Sequence, residues 1–148
     1  MRCIFMVVTL LIFTLPVIGA GDRTAKATFE DRILGSWTTD RAPNRTVSRL
    51  AISKDDKGFW IEIWAVRGLN EEAVQKTPLH LLRDINALAG PAIRGSATWE
   101  EGVGGSKATI HVNLRIVDGS LVYDLSKVYA SPENPSWFAS YEFKKAER

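Results

Sequence analysis

The chain has 148 residues, of which 45% are hydrophobic and 24% charged, and these values are typical of one globular domain. They exclude intrinsic disorder, collagen and coiled coil as structural classes. Lysine plus arginine number 19 against 17 aspartate plus glutamate, both signs are dispersed, and the net charge is +2, so we expect no nucleic-acid partner.

The first twenty residues have the three parts of a secretory signal peptide. Met1 and Arg2 form a short positive start, residues 4–15 are apolar apart from two threonines, and residues 16–20 end in small side chains. The apolar run is shorter than the roughly 20 residues of a membrane-spanning helix. The sequence therefore predicts a signal peptide at 1–20, one domain at 21–148, a secreted or periplasmic location and no integral membrane segment.

Removal of this signal peptide would also remove Cys3, the one cysteine of the chain. The remaining domain then has no disulfide, no thiolate nucleophile and no cysteine metal ligand. We expect it to be held together by burial of apolar side chains alone.

A short helical segment at 29–34 precedes the strands. From Gly35 onward, apolar residues recur at every second position, which is the pattern of strands with one face on a core. The segments 45–53 and 58–66 form a predicted hairpin around a loop at 54–57, in which Ile52 pairs with Phe59.

The middle of the chain has a weaker pattern. Residues 77–84 read as a strand, although 79–88 also permit a helical turn or two. Residues 93–100 read as another strand with Ile93 on its apolar face, and the glycine-rich segment 102–105 as a flexible loop.

The clearest alternation runs from 108 to 117 and continues after Asp118-Gly119. Asp-Gly is a preferred pair for the two-residue type I′ turn of a hairpin. The register that this turn sets places both apolar stripes on the same side and puts Lys127 opposite Ile110.

The last strand, 137–144, sends Trp137, Ala139, Tyr141 and Phe143 inward. The chain thus contains up to eight sequential strands with short connections and no room for crossover helices. This arrangement predicts an all-β fold, an antiparallel up-and-down β-barrel of about eight strands, because closure removes exposed edges. A two-sheet β-sandwich is the alternative.

The segment 33–40 reads Ile-Leu-Gly-Ser-Trp-Thr-Thr-Asp and resembles the opening of the calycin barrels, the lipocalins and avidins, whose first strand carries Gly-x-Trp after a helical lead-in. Gly35 and Trp37 match this motif. The resemblance implies that Trp37 plugs the closed end of a barrel and that a basic residue near the end of the chain packs on it. The candidates for that residue are Lys144, Lys145 and Arg148.

The chain departs from both families at several positions. The lipocalin Thr-Asp-Tyr segment is absent, since 117–120 read Val-Asp-Gly-Ser, and Thr39 stands where avidins carry a ligand-contacting asparagine. The avidin tryptophan of the seventh strand is also missing. The chain is most similar to a divergent, bacterial-type lipocalin-like barrel, with an avidin-like barrel as the nearest alternative.

Lys127 is unusual because the hairpin register places its charge on the core face. A buried, unpaired ammonium group is costly, so we expect Lys127 at the open mouth of the barrel, where it meets an acidic head group or reaches water. Tyr123, Trp137 and Tyr141 also point inward. Together the four residues predict a site for a small hydrophobic or amphipathic ligand, with a fully packed core as the alternative.

Trp60, Glu62 and Trp64 lie on the face of their strand opposite the core stripe. Two tryptophans one strand repeat apart, with a carboxylate between them, form a candidate docking patch for a sugar, a peptide or a protein partner, such as an enzyme inhibited by this chain. The alternative is that residues 79–88 or a second copy of the chain cover them.

The sequence shows no catalytic constellation. His80 and His111 lack a third ligand at metal-binding spacing, and the adjacent Glu100 and Glu101 point to opposite faces of a strand. We therefore expect a non-enzymatic binding protein without metal or cofactor, whose partner is a small hydrophobic ligand or a protein.

Overall fold

The computed structural model describes residues 27–39, 47–84, 90–103 and 105–147. This part of the chain forms one short helix and a closed antiparallel barrel of eight strands, in which each strand pairs with its sequence neighbours and β1 pairs with β8. The predicted up-and-down barrel is confirmed, whereas the signal peptide predicted at 1–20 lies outside the described residues. The elements are α1 Phe29–Ile33, β1 Gly35–Thr38, β2 Val47–Asp55, β3 Gly58–Arg67, β4 Asn70–Arg83, β5 Ala92–Val103, β6 Ser106–Val117, β7 Ser120–Tyr129 and β8 Trp137–Lys145.

The short helix α1 is fixed by a capping box. The Thr28 hydroxyl accepts a hydrogen bond from the backbone N–H of Asp31, and the Asp31 carboxylate accepts one from the backbone N–H of Thr28. The chain then enters β1 at Gly35, whose φ of 113° favours glycine. The predicted helical lead-in to the first strand is therefore confirmed.

The β6–β7 hairpin has the predicted register. Asp118 and Gly119 have φ angles of 49° and 86°, as a type I′ turn requires. Pairing then runs from the turn to Lys127, which lies opposite Ile110. The turn residues thus determine which side chains of both strands face the interior.

The register predicted for the β2–β3 hairpin is wrong by two residues, because Ile52 pairs with Ile61 rather than with Phe59. The turn is shorter than the predicted four-residue loop. The Asp55 carboxylate accepts hydrogen bonds from the backbone N–H groups two and three residues further along, at 2.9 and 3.1 Å, and this closes the chain around residues 56–57. A shift of two residues leaves the same side chains facing inward, so the alternating pattern does not reveal it.

The strand predicted at 77–84 extends much further towards the N-terminus. It spans Asn70–Arg83, and its first half pairs with β3 to form a long hairpin. Residues 79–83 are therefore a strand in the barrel wall, neither a helical turn nor a cover over Trp60 and Trp64, while 85–89 lie outside the described residues.

Two details of β5 also differ from the prediction. Ile93 is 47% exposed, and Ala92 is buried in its place. On β4, Leu82 pairs with Arg94 and Arg83 pairs with Ala92, so Ile93 has no partner and is the extra residue of a β-bulge. The predicted loop at 102–105 is shorter, since residues 102 and 103 pair with β6.

The two ends of the barrel differ. We call the end at which α1 leads into β1 the closed end, and the β2–β3 and β6–β7 turns lie at that end. The opposite end, which we call the open end, carries the β3–β4 and β5–β6 turns and the β7–β8 loop. A cluster of buried hydrophobic side chains occupies the interior. Its largest fully buried side chains are Trp37, Tyr123, Phe143, Ile33, Leu50, Ile61, Ile63, Leu114, Leu121 and Val112.

Candidate functional site

A cavity of about 560 Å³ lies at the open end of the barrel. Its walls come from the last residues of β3 and the turn that follows, from the start of β4 and from the end of β5. This volume is within the range of small-molecule binding sites. The lining residues are Ala65, Arg67, Gly68, Val74 and Glu101.

A partly buried ion pair stands at this end of the barrel. Lys127 Nζ donates a hydrogen bond to Glu101 Oε2 at 2.7 Å, and the side chains of Lys127 and Glu101 are 11% and 42% exposed. The two residues lie on β7 and β5, on either side of β6. They meet across Ala108 on β6, which pairs with Glu101 on one side and with Tyr129 on the other. The small methyl group of Ala108 leaves room for this contact.

The pair keeps Lys127 charged inside the barrel mouth. Burial lowers the pKa of Lys127, but the hydrogen bond and the charge of Glu101 raise it, and the net result is a raised pKa. The charge and hydrogen bond of the Tyr129 side chain also raise the pKa of Lys127. The Tyr129 ring centroid lies 5.5 Å from Nζ. The predicted inward position of Lys127 is therefore compatible with an ammonium group because it has two partners.

The other residues predicted for the ligand site do not lie together: Tyr123 is in the core, and Trp137 is at the open end. Tyr123 is buried in the packed core, with its ring centroid 6.1 Å from that of Tyr141 and 6.0 Å from that of Phe143. Burial is the main cause of its raised pKa, and the charges of Tyr141 and Glu101 add to it, so its hydroxyl stays protonated. Tyr141 is half-buried. Trp137, by contrast, pairs with Lys127 at the open end and is 44% exposed.

Trp99 on β5 is partly buried and packs against the hydrophobic core. It precedes Glu101 by two positions on β5, so both side chains lie on the same face of the strand. Its indole N–H is buried and has no hydrogen-bond partner among the described residues. A buried, unpaired donor of this kind costs about 1–3 kcal/mol.

Glu101 is the residue that sequence analysis missed. The sequence predicts only that Glu100 and Glu101 point to opposite faces of their strand, and the structure confirms this. The available signal was Lys127, since an inward lysine near the end of a strand requires an anionic partner from a nearby strand.

The outer surface of β3 carries Trp60, Glu62 and Trp64, as predicted, but it is not a bare aromatic platform. The Arg49 guanidinium lies 4.0 Å from the centroid of the Trp64 ring and pairs with Glu71 at 3.1 Å. Arg49 therefore covers the ring face that a partner would stack on.

Trp60 is held on the same surface by a different contact. Its indole N–H is buried without a hydrogen bond of good geometry, but it lies near Asp55 and lowers the pKa of that carboxyl. Trp60 and Trp64 thus have separate neighbours within the chain.

Among the described residues, no group of three or more histidine, cysteine, aspartate or glutamate side chains is placed to hold a metal ion. His111 is exposed, with Nδ1 3.3 Å from the Thr98 hydroxyl. The one helix described there is too short to cross a membrane.

Comparison with family models, curated proteins and solved structures found no match for the chain.

At the closed end, Trp37 is 1% exposed, and its Nε1 donates a hydrogen bond to the Ile33 carbonyl oxygen at 2.8 Å. Lys145 Nζ lies 5.5 Å from the Trp37 ring centroid and donates to the Arg32 carbonyl oxygen at 3.2 Å. Of the three basic residues considered for this contact, Lys145 makes it, and Arg148 lies outside the described residues. The contact fixes the end of β8 against α1.

Proposed function

We propose that the protein is a secreted or periplasmic, non-enzymatic binding protein with a lipocalin-like barrel, which holds a small hydrophobic or amphipathic ligand at its open end. The observation that carries this proposal is the cavity of about 560 Å³ at the end of the barrel opposite α1.

The composition of the cavity supports an amphipathic ligand. Ala65 and Val74 contribute apolar surface, and Trp99 lies on the same face of β5 as the cavity residue Glu101. The Glu101–Lys127 pair contributes fixed charge at the same end. A ligand with an apolar tail and one polar group would match both kinds of surface.

The assignment to a lipocalin-like family is supported by the closed end. Gly35 and Trp37 form the Gly-x-Trp motif at the start of β1, α1 precedes them, and Lys145 packs on the tryptophan. The eight-stranded antiparallel barrel agrees with that architecture.

The proposal is tested by titration calorimetry with hexanol, octanol and decanol, which carry tails of increasing length and no charge. Burial of one methylene contributes about 0.8 kcal/mol, so we expect one molecule per chain and an affinity that rises about fourfold per added methylene until the cavity is full. The double variant Trp60→Ser/Trp64→Ser should bind as the parent does, because both residues lie on the outer surface.

Native mass spectrometry of protein purified from its own host supplies the second measurement. We expect a small molecule to accompany the chain. Failure to bind any of the three alcohols, together with protein that never carries a small molecule, would refute the proposal. Loss of alcohol binding in the double tryptophan variant would instead place the site on the outer surface.

A further inference from the structure

We propose that the polar group of the ligand is an organic cation, held by the carboxylate of Glu101 and by the aromatic rings around it. This inference rests on the proposed function and specifies the head group that the open end recognises.

The Glu101–Lys127 pair presents its negative member to the opening. Glu101 lines the cavity and its side chain is 42% exposed, whereas that of Lys127 is 11% exposed. Lys127 Nζ is held by Glu101 Oε2 at 2.7 Å and lies over the Tyr129 ring. The pair is therefore a dipole with its carboxylate outermost, so an approaching head group meets a negative charge first.

This orientation reverses the expectation that Lys127 would receive an acidic head group. The ammonium group already has an anionic partner, and an acidic ligand would have to displace Glu101 or lie beside its carboxylate. Displacement would break the ion pair of Lys127, and a position beside the carboxylate would bring two negative charges together in a partly desolvated site; both are unfavourable.

Aromatic side chains lie near the Glu101–Lys127 pair on three strands. Trp99 shares the face of β5 with Glu101, Tyr129 lies beyond Ala108 on β7, and Trp137 on β8 pairs with Lys127. A carboxylate with aromatic faces is the combination that recognises substituted ammonium groups. The chain itself shows this chemistry, because the ammonium group of Lys127 is bound by Glu101 and Tyr129.

Arg67 also lines the cavity, but its charge is exposed to solvent. Its side chain is 66% exposed, and its guanidinium lies 4.0 Å from the Glu72 carboxylate. A solvated pair at the rim is screened by salt, so it opposes a cation at Glu101 only weakly.

The experiment compares three probes that share an eight-carbon tail: octyltrimethylammonium, octanol and octyl sulfate, each titrated into the full chain by calorimetry below its micelle concentration. We expect the cation to bind at least tenfold more tightly than octanol, and octyl sulfate to bind most weakly. Glu101→Gln should reduce the ratio of cation to octanol affinity to one or below, because the ammonium group of Lys127 remains and repels a cation. Glu100→Gln is the matched control, because Glu100 is exposed on the opposite face of the same strand, and it should keep the parent ratio.

Two further variants separate recognition from folding, since Glu101→Gln leaves the ammonium group of Lys127 without its partner. Lys127→Met keeps the carboxylate and removes the internal cation, so its preference for octyltrimethylammonium should exceed that of the parent. Lys127→Met combined with Glu101→Gln contains no unpaired charge and should bind all three probes with similar affinity. Circular dichroism establishes that each variant is folded before it is titrated.

The outcomes distinguish this inference from the function on which it rests. Octanol binding with a preference for octyl sulfate, or a cation preference that survives in the double variant, would overturn the cation site and leave the ligand-binding function intact. Failure of all three probes to bind the parent chain would refute both.

Discussion

Replacement of Trp37 by phenylalanine tests whether the closed end holds the barrel together. The change removes the indole N–H that bonds to the Ile33 carbonyl oxygen at 2.8 Å and leaves that oxygen without its donor, at a cost of about 1–3 kcal/mol. The smaller ring also leaves a gap in a fully buried position, which adds roughly 1–2 kcal/mol. The contact between Lys145 and the ring persists in weaker form. We therefore expect the free energy of unfolding to fall by about 3 kcal/mol.

Urea unfolding followed by circular dichroism measures this change, and a fall of about 3 kcal/mol corresponds to a melting temperature lower by about 10 °C in a domain of this size. Trp137→Phe is the matched control, because that side chain is 44% exposed at the open end, and it should cost less than about 0.5 kcal/mol. Equal losses in the two variants, or a loss below about 1 kcal/mol in Trp37→Phe, would refute the structural role of the buried indole.

Two more predictions concern the stability of the barrel. Gly119→Ala should lower the free energy of unfolding by about 1 kcal/mol or more, because φ is 86° there although a Cβ would meet no atom within 4 Å. Gly102 has equal space around it but no positive φ, so Gly102→Ala should leave the free energy of unfolding nearly unchanged. Similar effects of the two substitutions would contradict the turn assignment. Stability should also fall as the pH rises above about 10. Burial above all raises the pKa of Tyr123, and the net pKa of Lys127 is raised as well, so the folded chain keeps protons that the unfolded chain loses. The urea concentration at the unfolding midpoint, compared at about pH 9 and about pH 11, measures this loss of stability. The midpoint should fall less in Tyr123→Phe, and a midpoint that does not change with pH would contradict the prediction.

The sequence predicts register well where turn chemistry specifies it. Asp118 and Gly119 accept positive φ angles, so they fix the β6–β7 pairing down to Lys127. At the β2–β3 hairpin the alternation is compatible with two registers, and the Asp55 carboxylate selects one of them through bonds that depend on the folded turn. Alternation specifies the face of a residue but not its partner.

Only part of the candidate site can be predicted from the sequence, because alternation does not specify which residues of distant strands meet. The inward position of Lys127 follows from local pairing, but its partner Glu101 lies two strands away, and the contact depends on the small side chain of Ala108 between them. The cavity depends on the long β3–β4 hairpin, whose first half in β4 has little alternation of apolar residues. Such features arise from the packing of distant segments, which periodicity does not describe.

The most direct test of the binding site is a crystal structure of the chain with octyltrimethylammonium. We expect the alkyl tail in the open end of the barrel and the ammonium group beside the Glu101 carboxylate, within about 6 Å of an aromatic ring. A head group beside Arg67, or the whole amphiphile on the outer surface against Trp60 and Trp64, would contradict the site described above.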